Sequence, residues 1–416
     1  MPRNLDVYLQ QNLVGQLVQD HHGELNFQYA DQWLNQPAAM ALSHSLPLRP
    51  ARYNRKACRA FFGGILPEAG NREIIAKNLG ISARNDFAML ELIGGECAGA
   101  VTFMPAGQSL PDRHYHYRPL SSEALAEMLK KLPQRPLLAG EDGIRLSLAG
   151  AQDKIAVHLA GGQISLPLGG APSTHILKPA IERFAGIVFN EAWCLQLARA
   201  LGLHTVAVTT GRAQEIDYLL IPRYDRAIRS SPPGSREQLA RLHQEDFCQA
   251  LGIVPENKYQ NEGGPSLKQC FALLRELSSA PVVDLQRFLD AVIFNFLVGN
   301  HDAHGKNFSL VYGPETRLAP LYDVLCTVYY PELSRKMAMK LGGEYDSDKI
   351  SLKHFEQLAE EAALARPIVK RRVAELAEAV LANLPSLNID HPASLAIANL
   401  VTGRCRRVLQ KFPAAF

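Results

Sequence analysis

Three polar residues in the last third of the chain have the types and spacing for phosphoryl transfer. Asp302 and Asn307 stand five apart in VGNHDAHGKNFSL (298–310), and Asp323 follows sixteen residues after Asn307 in LAPLYDVLC. Moving a phosphoryl group asks a protein for positioning and charge neutralisation more than for covalent help. A carboxylate to orient and deprotonate the attacking hydroxyl suffices, with an amide oxygen and a second carboxylate for Mg²⁺. The interval from Asp302 to Asn307 is that of protein-kinase catalytic loops, whereas Tyr322-Asp323-Val324 shares only its aspartate with the kinase Asp-Phe-Gly segment. His301, Asp302 and His304 could instead be metal ligands of a hydrolase, but no further His or Asp at a recognisable spacing joins them.

Two upstream segments offer groups for the phosphate end. SLAGAQDK (147–154) sets the small residues Ala149, Gly150 and Ala151 between two strand-like pieces, where backbone N–H groups can approach an anion closely. Its spacing is neither that of a Walker loop nor that of the kinase glycine-rich loop, so a plain hairpin turn is the competing reading. Lys178, in HILKP, stands on a strand where it could meet ATP phosphates. Glu191, opening the next helix, is either its ion-pair partner or, preferably, an acid favoured at a helix N-terminus.

The elements that must hold these residues can be read from hydropathy. LDVYLQ, LVGQLVQ and ELNFQYA alternate as strands broken by turn residues, giving a small antiparallel sheet. Helical spacing follows from about Ala57 to Leu92, with Phe61, Phe62, Ile65 and Leu66 ending at Pro67. Met104–Tyr117 is a loose connector. After a helix over Ser122–Leu132 come the strand-like pieces IRLSLA, KIAVHLA, QISLPL and HILKP, the helix AWCLQLARALGL and the strands TVAVTT and IDYLLIPRYD. A Ser/Pro/Gly-rich loop spans Arg229–Ser235, and from Gln244 the chain is mostly helical, interrupted by FSLVY. A strand-rich lobe therefore leads into a helical one.

Bulk properties narrow the class further. At 416 residues the chain exceeds what one core usually serves, so two or more units are expected. A net charge of +3 argues against nucleic acid or an acidic membrane as the main partner. The basic runs Lys370–Arg372 and Arg404–Arg407 read as solvated helix faces before they read as DNA contacts. Seven scattered cysteines without a C-x-x-C pair favour reduced thiols, and neither a signal peptide nor a membrane-spanning run is present, so a cytoplasmic protein is expected.

Taken in order, SLAGAQDK, THILKP, NEAWCLQLARALG, PRYDR, HQEDFCQALG, DAHGKNFSL and LYD resemble the HipA family of serine/threonine kinase toxins, and FFGGILPE and ELIGGECAGAV resemble that family's N-terminal subdomain. The resemblance implies an α+β, HipA-like kinase fold: a strand-rich N-terminal part with small antiparallel sheets, then a largely helical C-terminal lobe. It implies an N-terminal subdomain (1–105), a nucleotide-binding part (118–240) and a helical lobe with the catalytic loop (241–416). Asp302 would be the catalytic base, and Asn307 and Asp323 the Mg²⁺ ligands. Ala149, Gly150, Ala151, Gln152 and Lys154 would lie over the phosphates of ATP with Lys178, and His304 and Lys306 would add contacts. Pro222, Arg223, Tyr224 and Asp225 would form the hinge near adenine, where family members often have an acid in place of Pro222. Ser147 would be the site of autophosphorylation. The implied partners are a HipB-like helix-turn-helix antitoxin, operator DNA indirectly through it, and an aminoacyl-tRNA synthetase as substrate, glutamyl-tRNA synthetase foremost, with no membrane partner. An idle corepressor and a small-molecule kinase are the alternatives.

Overall fold

The N-terminal alternation becomes an antiparallel sheet in the order Leu25–Tyr29, Asn12–Gln19, Arg3–Leu9, Val101–Pro105 in the computed structural model, which describes residues 2–111, 115–229, 238–387 and 389–411. Residues 230–235 of the Ser/Pro/Gly-rich loop lie outside the described residues. The chain divides into two units. The first comprises Met1–Pro179, Gly211–Glu256 and Val311–Gly313, and the second Ala180–Thr210, Asn257–Leu310 and Pro314–Phe416.

In the first unit, Leu5, Val7 and Leu9 point to one side of their strand and pack with Phe27, Phe61, Phe62, Phe87 and Phe103 in one apolar core. The period-two pattern accounts for this, because only alternate side chains of a strand share a face. The segment expected to be helical holds the helices Ala69–Leu79 and Asp86–Ile93, preceded by a short turn of α-helix and a π-helical stretch at Arg59–Gly63. A second antiparallel sheet runs Ile216–Pro222, His175–Pro179, Ile155–Ala160, Gln163–Leu168, His116–Pro119. Two expected strands change. IRLSLA is extended only at Leu146–Ser147, because its partner, the parallel two-residue strand Glu96–Cys97, offers no more backbone to pair. TVAVTT contributes only its last two residues to the strand Thr209–Ala213.

The second unit is built on helices whose ends are marked in the sequence. Leu267–Leu277 begins with a Ser266/Gln269 capping box, and Pro281–Val298 has proline at its first position. Phe271 and Phe288 meet edge to face, with ring centroids 4.7 Å apart. A hairpin of Lys336–Leu341 and Glu344–Asp346 interrupts the helices in addition to the expected FSLVY strand. The basic runs are not wholly solvated: Arg372 pairs with Asp290, and the buried Arg404 donates to the carbonyls of Phe296 and Leu297. No disulfide joins any of the seven cysteines, and all are buried. No helix among the described residues is long and apolar enough to cross a membrane.

A buried ion cluster ties the first unit together. Arg223 grips Asp225 through Nε (3.0 Å) and Nη2 (2.8 Å) and reaches Glu96 through Nη1 (2.9 Å), and Arg226 also bonds Glu96. Arg241 donates to the carbonyl of Val101 at 2.7 Å. Burial would raise the pKa of Glu96, but the guanidiniums of Arg223, Arg226 and Arg241 outweigh it and hold the carboxyl at about 2. The sign of the linkage follows. A depressed folded-state pKa gives stability that is present above the ordinary glutamate value and lost as pH falls towards about 2. Glu96→Gln leaves two buried guanidiniums short of charge, so chemical denaturation at neutral pH should show a loss of about 3 kcal/mol. The acid-induced decline between about pH 4.5 and 2 should become shallower in the variant; an unchanged pH profile would argue that the cluster is not the anchor.

Candidate active site

Gly299 decides where the long helix of the second unit stops. It takes a left-handed conformation (φ 74°), and a Cβ there would lie 2.6 Å from Val328 Cγ2, so no larger residue makes this turn without displacement. The next residues are held one by one. Asn300 donates through Nδ2 to Asn295 Oδ1 (2.8 Å), and its Oδ1 accepts the Asp302 N–H (3.1 Å). His301 turns inward, with Nε2 2.8 Å from Ser347 Oγ, and burial pushes its pKa down to about 4, so the ring is neutral. That orientation removes it from any ligand set with Asp302 and His304, and among the described residues no group of three or more His, Cys, Asp or Glu could hold a metal.

Asp302 follows on the exposed side, and its Oδ1 accepts a hydrogen bond from the Tyr259 hydroxyl at 2.8 Å. The Tyr259 ring also meets His304 edge to face, with centroids 5.4 Å apart. Sequence reasoning missed this tyrosine, which comes from an irregular segment 43 residues upstream and carries no local signal. The interval from Asp302 to Asn307 closes a tight turn in which Asn307 Oδ1 accepts the His304 N–H (3.1 Å) and Nδ2 donates to Asp323 Oδ2 (2.7 Å). Lys306 is buried within this turn, and its carbonyl accepts from the Tyr322 hydroxyl at 2.8 Å. Asp323 adopts φ 57°, a left-handed conformation that few residues other than glycine tolerate, Asp and Asn being among them. Asp302, His304, Lys306, Asn307 and Asp323 are thus gathered within the second unit. The Asn307 amide meets the Asp323 carboxylate through its nitrogen while its oxygen takes the His304 N–H; that oxygen and the carboxylate are hard donors of the kind Mg²⁺ takes, and each can accept more than one bond.

Within the first unit, Ser147 to Lys154 lies against the Pro67–Glu68 segment: Gly150 bridges Pro67, and its carbonyl accepts the Glu68 N–H (3.3 Å). Gly150 has φ 103°, and a Cβ there would meet Lys154 Nζ at 2.6 Å, because that ammonium reaches back across the glycine to the Ala149 carbonyl (2.8 Å). Ala151 is exposed and Gln152 half-buried. Ser147 is wholly buried, and its hydroxyl donates to the Ile65 carbonyl at 3.0 Å. Lys178 is buried in its strand opposite Leu219, and Pro222 ends the neighbouring strand opposite His175. The side chains of Arg223 and Asp225 are spent in the ion cluster, while Tyr224 donates to Gln244 Oε1 at 2.9 Å. Any nucleotide contact along this segment therefore falls to its backbone and to Tyr224 rather than to the two charges. Glu191 does not open its helix. It sits in the second turn of Ile187–Ala200 and is 1% exposed, too far in to serve as a solvated acid at the helix end.

The chain resembles known proteins over nearly its whole length. Residues 5–104 match the HipA N-terminal domain and residues 146–384 the HipA-like C-terminal domain. The chain is 43% identical to "Putative kinase Y4mE" of Sinorhizobium fredii, over 98% of both chains. It is 28% identical to the serine/threonine-protein kinase toxin HipA of Shewanella oneidensis, over 97% of this chain and 96% of that one. Among solved structures it resembles HipA in the Shewanella oneidensis complex of HipA, HipB and operator DNA, with a TM-score of 0.82 and 26% identity over 98% of this chain and 97% of that one. The α+β arrangement of small sheets and helices is that of this kinase, and the chain belongs to the HipA family.

Proposed function

We propose that this chain is an ATP-dependent serine/threonine protein kinase and the toxin of a toxin–antitoxin pair. The observation that carries the reading is the 2.7 Å contact of Asn307 with Asp323 in the turn that presents Asp302. Asp302, exposed and held by Tyr259, orients the attacking hydroxyl and takes its proton as the new bond to the γ-phosphorus forms and the bond from that phosphorus to the departing ADP oxygen breaks. Asn307 and Asp323 would hold Mg²⁺, which when bound would supply charge neutralisation at the phosphates. Lys178 and the backbone N–H groups of 149–154 bind phosphate oxygens, and the segment 222–225 meets the adenine. Likeness to a protein solved with HipB and operator DNA supports a helix-turn-helix antitoxin as partner. Kinship with a kinase toxin supports a protein substrate in the cytoplasm, and we propose an aminoacyl-tRNA synthetase, glutamyl-tRNA synthetase first.

The test is phosphoryl transfer from ATP to the purified synthetase, followed by mass spectrometry. Asp302→Asn should lower the rate at least about 10²-fold with Mg²⁺-ATP affinity nearly intact, because the proton acceptor acts chiefly in the transition state. A rate close to that of the unaltered chain would remove Asp302 from the role. Asp323→Ala should weaken Mg²⁺-ATP binding as well as turnover, and unchanged affinity by calorimetry would count against a metal-holding carboxylate.

Ser147 is the proposed site of autophosphorylation. A phosphate adds about 1.5 to 2 negative charges to a hydroxyl that here has no exposure, so strand and loop must leave their place to accommodate it. Incubation with Mg²⁺-ATP should yield Ser147 phosphate and a form that no longer binds nucleotide. Full ATP affinity in the modified form, or no modification, would refute self-inhibition.

A further inference from the structure

Asn190 has no exposed surface, and its side chain grips both backbone groups of one distant residue. Its Oδ1 accepts the Cys326 N–H at 2.7 Å, and its Nδ2 donates to the Cys326 carbonyl at 3.1 Å. Cys326 lies three residues beyond Asp323. The next residue, Thr327, pegs the start of the catalytic loop: its Oγ1 accepts the His301 N–H (2.7 Å) and donates to the Gly299 carbonyl (3.0 Å). One five-residue segment, 323–327, therefore has the carboxylate of Asp323 at one end and the peg of the Asp302 loop at the other, and Asn190 holds it just before the peg.

We propose that Asn190 is a positioning residue for phosphoryl transfer: it docks the 323–327 segment onto the helix Ile187–Ala200 and so sets Asp323 and the Asp302 loop from a single point. The inference rests on the kinase reading above. The chemistry of the contact is selective, because a carboxamide both donates and accepts in one plane. Aspartate in its place turns an acceptor towards a carbonyl oxygen, and alanine leaves a buried peptide N–H without this partner. The Cys326 carbonyl also accepts the Tyr329 N–H (3.2 Å), so loss of the bond to the N–H is the more damaging half. Asp323 has the further need of a fixed neighbour, since its left-handed backbone holds only while the surrounding chain dictates it.

The experiment compares the full chain with Asn190→Ala, Asn190→Asp, Thr327→Val and Asp323→Ala. It measures affinity for ATP with Mg²⁺ and with EDTA, and kcat for phosphoryl transfer. Asn190→Ala should weaken Mg²⁺-ATP binding about tenfold, leave metal-free ATP binding within about twofold and lower kcat. Thr327→Val should lower kcat about tenfold while keeping Mg²⁺-ATP affinity, because it loosens the loop and not the carboxylate. Asn190→Asp keeps the side-chain shape and should show the same split to a smaller degree, which serves if the alanine variant fails to fold. Equal weakening with and without Mg²⁺ would overturn the inference, since a general loosening of the fold predicts that. Asn190 variants with unaltered Mg²⁺-ATP affinity would overturn it too, provided Asp323→Ala loses affinity. If Asp323→Ala itself changes nothing, the kinase assignment of Asp323 fails first and takes this inference with it.

Discussion

The second unit is organised around one short contact, the side-chain amide of Asn307 donating to Asp323 at 2.7 Å. A single side-chain bond cannot by itself set two segments sixteen residues apart, so their backbones are fixed from outside. On one side the fixing comes from the stop at Gly299, the hydrogen bonds of Asn300 and the peg at Thr327. On the other it comes from Tyr322, whose hydroxyl reaches Lys306 and Ser309. The long apolar helix Pro281–Val298 then has a plain purpose: it is the rigid wall from which a short polar turn projects.

The first unit solves a different problem with different physics. Its 147–154 loop leans on Pro67–Glu68, within the residues that match the HipA N-terminal domain, and the segment at Arg223 is fastened to Glu96 and Asp225 in the interior. Buried ion clusters contribute little net stability over an apolar packing of the same volume, and their use lies in tolerating only one arrangement of partners. Here the arrangement fixes the segment that follows Ile216–Pro222 relative to the strand Val101–Pro105 through Arg241.

What could be read from sequence was local. Asp302 and Asn307 lie five residues apart, and strand alternation at Leu5, Val7 and Leu9 reports a buried face directly. Segments whose state depends on a partner far along the chain were harder. IRLSLA alternates well but has only Glu96–Cys97 to pair with, and Arg223 and Asp225 carry charges whose counter-ions come from some 127 residues away and from next door alike. Glu191 was misplaced because the helix starts at Ile187, after a glycine rather than a capping side chain. Tyr259 and Asn190 had no signal at all, since a tyrosine in a loop and an asparagine in a helix are each unremarkable until tertiary structure gives them partners.

The left-handed backbone at Asp323 has a consequence for which residue can stand there. An aspartate there is strained by about 1 kcal/mol relative to glycine, so the residue the backbone favours is not the residue the neighbouring Asn307 amide favours. Glycine lies a single nucleotide change from aspartate, yet it would relieve the backbone only by removing the acceptor of the Asn307 amide, a bond worth about as much as the strain. At position 323 backbone and side chain thus pull in opposite directions, and the fold itself, through the bond to Asn307, has a reason to keep the acid that the backbone alone would discard.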